Sequence, residues 1–375
     1  MRKKKILILY STAGMGHKKA AFALLEAFRK YATSLDVEIA DVMEYSNPVY
    51  RFAYTRVYVF LMNRAKWLWG KLYGFSNNLL WERITGPLRG FVDYFSLPGL
   101  GEYVLKKQPD AVVATHFLLP SIARKLRKKG VRSRLYTIIT DYGPHLWWLS
   151  EAIDRYFVGS QSVKDALEIL QVPPDRIAVS GIPVSGDFIA ERDIARIRSK
   201  YDLSPDRKTV FLMSGGFGVG PIKQMLISLN KCNSDIQVIA VCGHNVRVKE
   251  DIEKIKDGLA YPARVLGFTD RVPELMAVSD IMISKAGGIS VTEALNARVP
   301  LILYGSIPGQ ETWNEQLLVK EGAAEKSPNI ASIPAITDRI LISEDAYQLL
   351  MHNIDRIRRP DAASVVAESI VDDIK

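Results

Sequence analysis

The sequence predicts an α/β protein of two Rossmann-like, doubly wound domains, each a parallel sheet with helices on both faces. Three observations carry that expectation. Short uninterrupted apolar runs alternate with amphipathic stretches along the chain, the pattern of buried parallel strands and their crossover helices. Glycine turns follow such runs directly at Gly14-Met15-Gly16, Ser214 to Gly220 and Lys285 to Gly288. The 375 residues suit two domains at roughly 150 residues each.

Lys5 to Tyr10 reads as the first strand, Ser11 to His17 as a turn, and Lys18 to Lys30 as a helix with Ala21, Leu24, Leu25 and Phe28 on one face. Val37 to Val42 is the second strand. A nicotinamide fingerprint would place a third glycine here, but the sequence runs Gly14-Met15-Gly16-His17-Lys18-Lys19. The basic start imitates a signal peptide, yet its apolar run is too short and no cleavage site follows.

Residues 45–103 have a different texture, with 15 of the chain's 35 Phe, Trp and Tyr. From Arg51 to Arg89 seven basic residues accompany one acid, Glu82. On a helical wheel Arg56, Asn63, Arg64, Lys66 and Lys71 share about half a turn with Trp67, while Tyr54, Val57, Phe60, Leu61, Leu68 and Leu72 fill much of the rest. Aromatic rings beside snorkelling basic side chains suit an interfacial helix, with Arg56, Arg64, Lys66, Trp67, Trp69 and Lys71 as membrane contacts. A helical insertion packed on its own domain is the alternative. Residues 1–150 hold 24 Lys and Arg against 10 Asp and Glu, a balance of +14, whereas the remainder has 26 against 31. That asymmetry favours an anionic surface as partner, acidic lipid headgroups or nucleic acid, with a merely soluble basic surface the alternative; of the two partners lipid is the one expected and nucleic acid is not. No apolar run reaches the ~18 residues of a transmembrane helix. With only Cys232 and Cys242 present, a disulfide framework and a cysteine zinc site are both implausible.

Alternation resumes with strands at Asp110 to Thr115 and Leu135 to Thr140 around a helix from Leu119 to Lys129. Asp141-Tyr142-Gly143-Pro144-His145-Leu146-Trp147-Trp148 follows the second of these, at the strand end where open α/β sheets place ligands. Strands Tyr156 to Gly159 and Ile177 to Ser180 flank a helix, and Gly181-Ile182-Pro183 closes a first domain of residues 1–183. A charged linker, 184–208, leads to a second domain, 209–337, with at least five strands and terminal helices over 338–375. Its first strand runs into Ser214-Gly215-Gly216-Phe217-Gly218-Val219-Gly220-Pro221, an anion-binding turn without the Lys-Ser/Thr pair of a Walker loop.

The most informative stretch runs from Ser284 to Asn314. A strand ends in Lys285-Ala286-Gly287-Gly288, a helix from near Ser290 carries Glu293, and after a strand at Pro300 to Tyr304 a polar loop holds Gln310, Glu311 and Asn314. Glycine amides at a helix start suit a diphosphate. Glu293 could accept hydrogen bonds from ribose hydroxyls, and Gln310 and Glu311 from a hexose. A turn whose glycines serve only the backbone is the alternative. His17 is the histidine placed for base chemistry, beside two glycines where the first strand meets the first helix. A helix cap or a satisfied structural histidine is its alternative. No two of the five histidines have the spacing of a helical zinc site.

The Ser284 to Asn314 stretch resembles the C-terminal lobe of the monogalactosyldiacylglycerol synthase and processive diacylglycerol glucosyltransferase family, and is similar to that of the related peptidoglycan lipid-intermediate N-acetylglucosaminyltransferases. The likeness extends to Gly16-His17, to Asp141 with His145 and Trp148, to Gly181-Ile182-Pro183-Val184, and to Gly215 to Pro221. Gly243-His244-Asn245 and Gly267-Phe268 match as well. It implies the GT-B fold, two Rossmann-like domains facing across a cleft, and inverting transfer of a hexose from UDP-glucose or UDP-galactose to a membrane lipid, diacylglycerol first among them. By the resemblance His17 is the base. Gly14, Gly16, Ser214, Gly215, Gly216, Gly218, Gly243, His244, Asn245, Gly267, Phe268, Ser284, Lys285, Ala286, Gly287 and Gly288 surround nucleotide and diphosphate. Glu293 holds ribose, Gln310, Glu311 and Asn314 face the sugar, and Asp141, His145 and Trp148 serve the lipid acceptor. No cofactor or metal is required, because amides of the glycine turns would carry the charge of departing UDP. The place of action would be the cytoplasmic face of the cell membrane, reached peripherally. A UDP-sugar epimerase of the same fold and a non-catalytic UDP-sugar sensor are the rival readings. The sparser glycines of the first turn and Tyr142-Gly143-Pro144 depart from the family pattern and bear on the acceptor more than the donor.

Overall fold

The computed structural model describes residues 3–375 except 13, 32–34, 217 and 219, and describes no side chain at 55, 58–64 or 66. The side chains of Arg64 and Lys66, two of the expected membrane contacts, therefore lie outside the described residues. The chain divides into two units, residues 1–185 with 308–310 and 359–375, and residues 186–307 with 311–358.

The first unit runs β1 (Lys5–Tyr10), α1 (Met15–Tyr31), β2 (Asp36–Asp41), then four helices, α2 (Pro48–Arg64), α3 (Lys66–Ser76), α4 (Leu79–Ser96) and α5 (Pro98–Lys107). β3 (Ala111–Ala114), α6 (Leu118–Lys128), β4 (Arg134–Ile138), β5 (Arg155–Val158), α7 (Gln161–Ile169) and β6 (Ile177–Val179) complete its sheet. The strand order is β2-β1-β3-β4-β5-β6, parallel throughout, with Ile6 level with Val37 on one side and Ala111 on the other. Both faces are covered, which is why the strands read as continuous apolar runs. Ile6, Ile8 and Val113 pack into the cluster of Leu24 and Phe28 on α1, while Leu7, Leu9 and Val112 point to the opposite cluster.

The second unit contains α8 (Ile194–Lys200), β7 (Lys208–Met213), α9 (Ile222–Leu229), β8 (Ile236–Val241), α10 (Val246–Glu253), β9 (Ala263–Leu266) and α11 (Val272–Ala277). After these come β10 (Ile281–Ser284), α12 (Gly288–Asn296), β11 (Leu301–Leu303), α13 (Gln310–Lys320), β12 (Ala324–Lys326), α14 (Ile333–Ile342) and α15 (Glu344–Ile357). Its parallel order is β12-β11-β10-β7-β8-β9. The last helix, α16 (Ala362–Asp373), returns to the first unit and buries Val366, Ala367 and Ile370 beside Leu24 and Phe28.

Each sheet therefore winds in two directions from a central pair, β1 with β3 and β7 with β10. Loops leaving the carboxyl ends of such a pair diverge to opposite faces and open a crevice there, the usual ligand position in these sheets. Two expectations need correction. The polar stretch holding Gln310, Glu311 and Asn314 is the first turn of α13 rather than a loop. The wheel drawn from Arg56 to Leu72 does not describe one helix, because Ala65 (φ −137°, ψ 45°) separates α2 from α3 and resets the phase.

Candidate active site

In the first unit, the turn after β1 and the residues after β3 meet at His17, the third residue of α1. Its Nδ1–H donates to the Thr115 carbonyl at 2.6 Å, and Thr140 Oγ1 lies 3.2 Å from the same nitrogen. A carbonyl can only accept, so Nδ1 carries the ring proton and Nε2 is left as the basic nitrogen. Thr115 Oγ1 in turn donates to the His17 carbonyl at 2.8 Å. Gly14 lies flat against the ring, where a Cβ would fall 2.9 Å from Cδ2, and Gly16 immediately precedes the histidine in α1. Burial pushes the imidazole from 6.5 down to about 4, and the Thr115 bond only partly opposes that shift. The ring is thus neutral near pH 7.

The rings of His116 and Trp148 stand 4.6 Å and 6.1 Å from that of His17. His116 Nδ1 accepts the Leu118 N–H, Nε2 faces the Tyr54 hydroxyl at 3.4 Å, and burial lowers its pKa well below the ordinary range. Asp141 and Trp148 are both buried, Trp148 in the core. His145 is buried with both nitrogens engaged: Nδ1 accepts the Trp147 N–H at 3.1 Å, and Nε2 lies 3.2 Å from the Tyr73 carbonyl, to which it donates. Burial and nearby Arg89 hold its pKa down to about 4 despite the Tyr73 bond. This histidine braces the loop after β4 against the end of α3 and presents no nitrogen outward.

In the second unit, the turns after β7 and β8 interlock. Gly218 (φ +60°) and Gly243 (φ +56°) occupy the left-handed region. A Cβ on Gly218 would lie 1.9 Å from the Cys242 carbonyl oxygen, and one on Gly243 2.3 Å from that of Gly216. No side chain fits either place. Asn245 caps α10 through its contact with Val248 N–H and donates from Nδ2 to the Gly218 carbonyl at 3.2 Å. The His244 ring stacks on Phe268 at 4.2 Å and 13°, beyond Gly267 at the end of β9, and Phe268 is exposed. On the other side of the crevice Ser284 ends β10, Gly287 and Gly288 start α12, and Glu293 is buried one turn in. Asn314 Nδ2 donates to the Ala286 carbonyl at 2.9 Å. The structure thus gathers the expected residues Ser214 to Gly216, Gly218, 243–245, 267–268, 284–288, Glu293, Glu311 and Asn314 around one end of one sheet, while Gln310 groups with the first unit.

The four helices α2 to α5 carry 14 of the 26 exposed large hydrophobic side chains among the described residues, from Val49 to Phe95. Leu80, Ile84, Leu88, Phe91 and Phe95 recur at helical spacing along α4, each more than half exposed. Asn78 caps this helix, and its opposite face is fixed: Asp93 accepts the Tyr50 hydroxyl at 2.8 Å, and Gly90 lets it approach the Ser121 carbonyl. Lys125 Nζ lies over Phe91, Tyr94 and Phe95, at 4.5 Å from the nearest ring centre. Arg56 and Trp67 are exposed, and Lys71 Nζ lies 5.3 Å over the Trp67 ring, whereas Trp69 is only partly exposed. No described helix is long and apolar enough to cross a membrane. Among the described residues no group of three or more His, Cys, Asp or Glu is placed to hold a metal ion.

Residues 17–184 match the family described as monogalactosyldiacylglycerol (MGDG) synthase, and residues 209–333 match the glycosyltransferase family 28 C-terminal domain. The processive diacylglycerol beta-glucosyltransferase of Bacillus licheniformis is 30% identical over 372 residues, covering 98% of this chain and 95% of that one. The chain belongs to this family of diacylglycerol glycosyltransferases. Its fold is GT-B. The MurG structure from Acinetobacter baumannii superposes with a TM-score of 0.62 at 13% identity, covering 99% of this chain and all of that one. A UDP-GlcNAc 2-epimerase from Neisseria meningitidis gives 0.64 at 14% identity, over 98% and 100%. Epimerases share the architecture, so the fold alone does not choose the reaction; the sequence relatives do, and they favour transfer. Sequence reasoning missed Thr115 and His116. The sole available signal was Thr-His directly after a buried strand.

Proposed function

We propose that this family member moves a hexose from a UDP-hexose to the hydroxyl of diacylglycerol in the membrane, with inversion at the anomeric carbon. The observation that carries the reading is the His17 ring, neutral and fixed with Nε2 as its basic nitrogen. As the acceptor oxygen attacks the anomeric carbon, Nε2 takes its proton and the bond to UDP breaks on the opposite face. The imidazolium so formed keeps its Nδ1–H bond to Thr115. Trp148 and His116 wall the ring. In the second unit uracil would lie by the Phe268–His244 stack, Glu293 would hold the ribose, and the turns at Gly215–Gly218 and Gly287–Gly288 would receive the diphosphate. Gln310 at the start of α13 would face the hexose.

The apolar stripe of α4 would enter the lipid, with Arg56 and Lys71 at headgroup level on an anionic, cytoplasmic leaflet. Incubation with radiolabelled UDP-glucose or UDP-galactose and diacylglycerol vesicles tests the reading. The expected result is label in the lipid extract. Label recovered only as an epimerised sugar nucleotide, or unchanged, would refute it. Replacing His17 by Ala should preserve UDP affinity and lower turnover roughly 10²- to 10⁴-fold.

A further inference from the structure

Lys285 follows β10 with a side chain 18% exposed, and its Nζ lies 2.5 Å from Oε1 of Glu311, whose side chain is 5% exposed. The other carboxylate oxygen accepts the Ile307 N–H at 2.8 Å. Both glycine turns close on this pair. A Cβ on Gly215 would lie 3.3 Å from Lys285 Cε, and one on Gly287, which precedes the first turn of α12, 3.7 Å from Glu311 Oε1. An anionic oxygen therefore stands between an ammonium group and the positive end of a nine-residue helix, against backbone with no side chain to hold a larger anion away. A phosphate oxygen has the same requirements.

We propose that the Lys285–Glu311 pair is exchanged when the donor binds. The diphosphate takes the Lys285 ammonium, and the released Glu311 oxygen then accepts a hydroxyl of the hexose. This rests on the reading of the chain as a UDP-hexose transferase and reassigns Glu311, which holds Lys285 until the phosphates arrive. A donor with both phosphate and sugar replaces each half of the broken ion pair. UDP alone replaces only one, and leaves a buried carboxylate without its cation. Once the hexose has been transferred, Glu311 regains Lys285 and displaces the spent nucleotide.

Calorimetric titration of the whole 375-residue chain with UDP, UDP-glucose and uridine tests the exchange. Glu311→Gln removes the competing charge with little change of shape, and should bind UDP roughly 10-fold tighter while losing the advantage of UDP-glucose over UDP. Lys285→Met should weaken UDP roughly 10- to 100-fold, with Lys285→Arg restoring part of the loss. Uridine, which has no phosphate, should bind all variants alike. Weaker or unchanged UDP binding by Glu311→Gln overturns the exchange, as does a uridine affinity that shifts in step with that of UDP. A protein that shows the expected shifts but labels no lipid keeps the exchange and refutes the transferase reading. A wild-type protein with no affinity for UDP refutes both.

Discussion

Lowering the pH from about 8 to about 6 should leave kcat/KM almost unchanged. The reasoning starts from the 2.6 Å bond between His17 Nδ1 and the Thr115 carbonyl, which puts the basic lone pair on Nε2, and from burial that lowers the imidazole from 6.5 to about 4. An imidazole titrating at 6.5 would be roughly three-quarters protonated at pH 6, and kcat/KM would fall about fourfold. One titrating at about 4 would be roughly 1% protonated, a loss within the error of most rate measurements. The sign follows from the direction of the shift: the base form is present above the lowered value and disappears only as the pH falls through it. The quantity to measure is kcat/KM, which reports the free enzyme, at subsaturating donor and constant ionic strength because docking on anionic lipid varies with salt. The phosphodiester groups of the donor stay ionised throughout, so they add no titration of their own. An acidic limb centred between pH 6 and 7 would refute the account of His17 as a partly buried, neutral base.

Acid should destabilise the fold from about pH 6.5 downward. Folded His145 has a pKa of about 4 against 6.5 when exposed, so between these values the unfolded chain binds a proton that the folded one does not, at a cost approaching ~1.4 kcal/mol per pH unit. Thermal melts across this window should show a falling Tm, and a shallower fall in His145→Gln; equal slopes would refute the assignment. Ile84→Asp with Leu88→Asp should lower co-sedimentation with anionic vesicles roughly 100-fold, since each side chain is worth about 1–2 kcal/mol when lipid covers its exposed surface. UDP affinity should not change, and unaltered vesicle binding would exclude α4 as the docking face. Gly218→Ala places a Cβ 1.9 Å from the Cys242 carbonyl oxygen at φ +60°. A loss on the order of 2 kcal/mol is expected, read as a Tm several degrees lower, together with weaker UDP binding; an unchanged Tm would contradict the interlocked turns.

Much of the architecture was legible because strands buried on both faces read as plain apolar runs, as in Ala111–Ala114 and Ile236–Val241. The sixth strand of the second sheet was not. Ala324–Lys326 is three residues at the sheet edge, defined by its pairing with β11 and not by composition. The start of α13 was misread for a related reason. Three of its four buried positions are Glu311, Asn314 and Glu315, polar residues whose partners Lys285, Ala286 and Ser306 come from other turns, so Leu318 alone does not mark an apolar period. The basic wheel drew attention to α2 and α3, while among the described side chains a continuous exposed apolar stripe lies on α4. Thr115 fixes the ring through a backbone carbonyl, which every residue type carries, so beyond the Thr-His after the strand it took the neighbourhood of β1 and β3 to reveal it.

The same topological position serves opposite chemistries in the two units, and the residue after the neighbouring strand decides which. At the β1–β3 pair the neighbour offers the Thr115 carbonyl, an acceptor that fixes the imidazole in one tautomer and keeps Nε2 basic. At the β7–β10 pair the neighbour is Lys285, whose ammonium adds its charge to the glycine turn and helix start and makes the crevice attract anions. A cation placed beside His17 would depress its basicity further, and an acceptor carbonyl in place of Lys285 would repel a diphosphate. Proton acceptance and nucleotide binding therefore make incompatible demands on one crevice. A chain with two doubly wound sheets can meet both, one at each switch point.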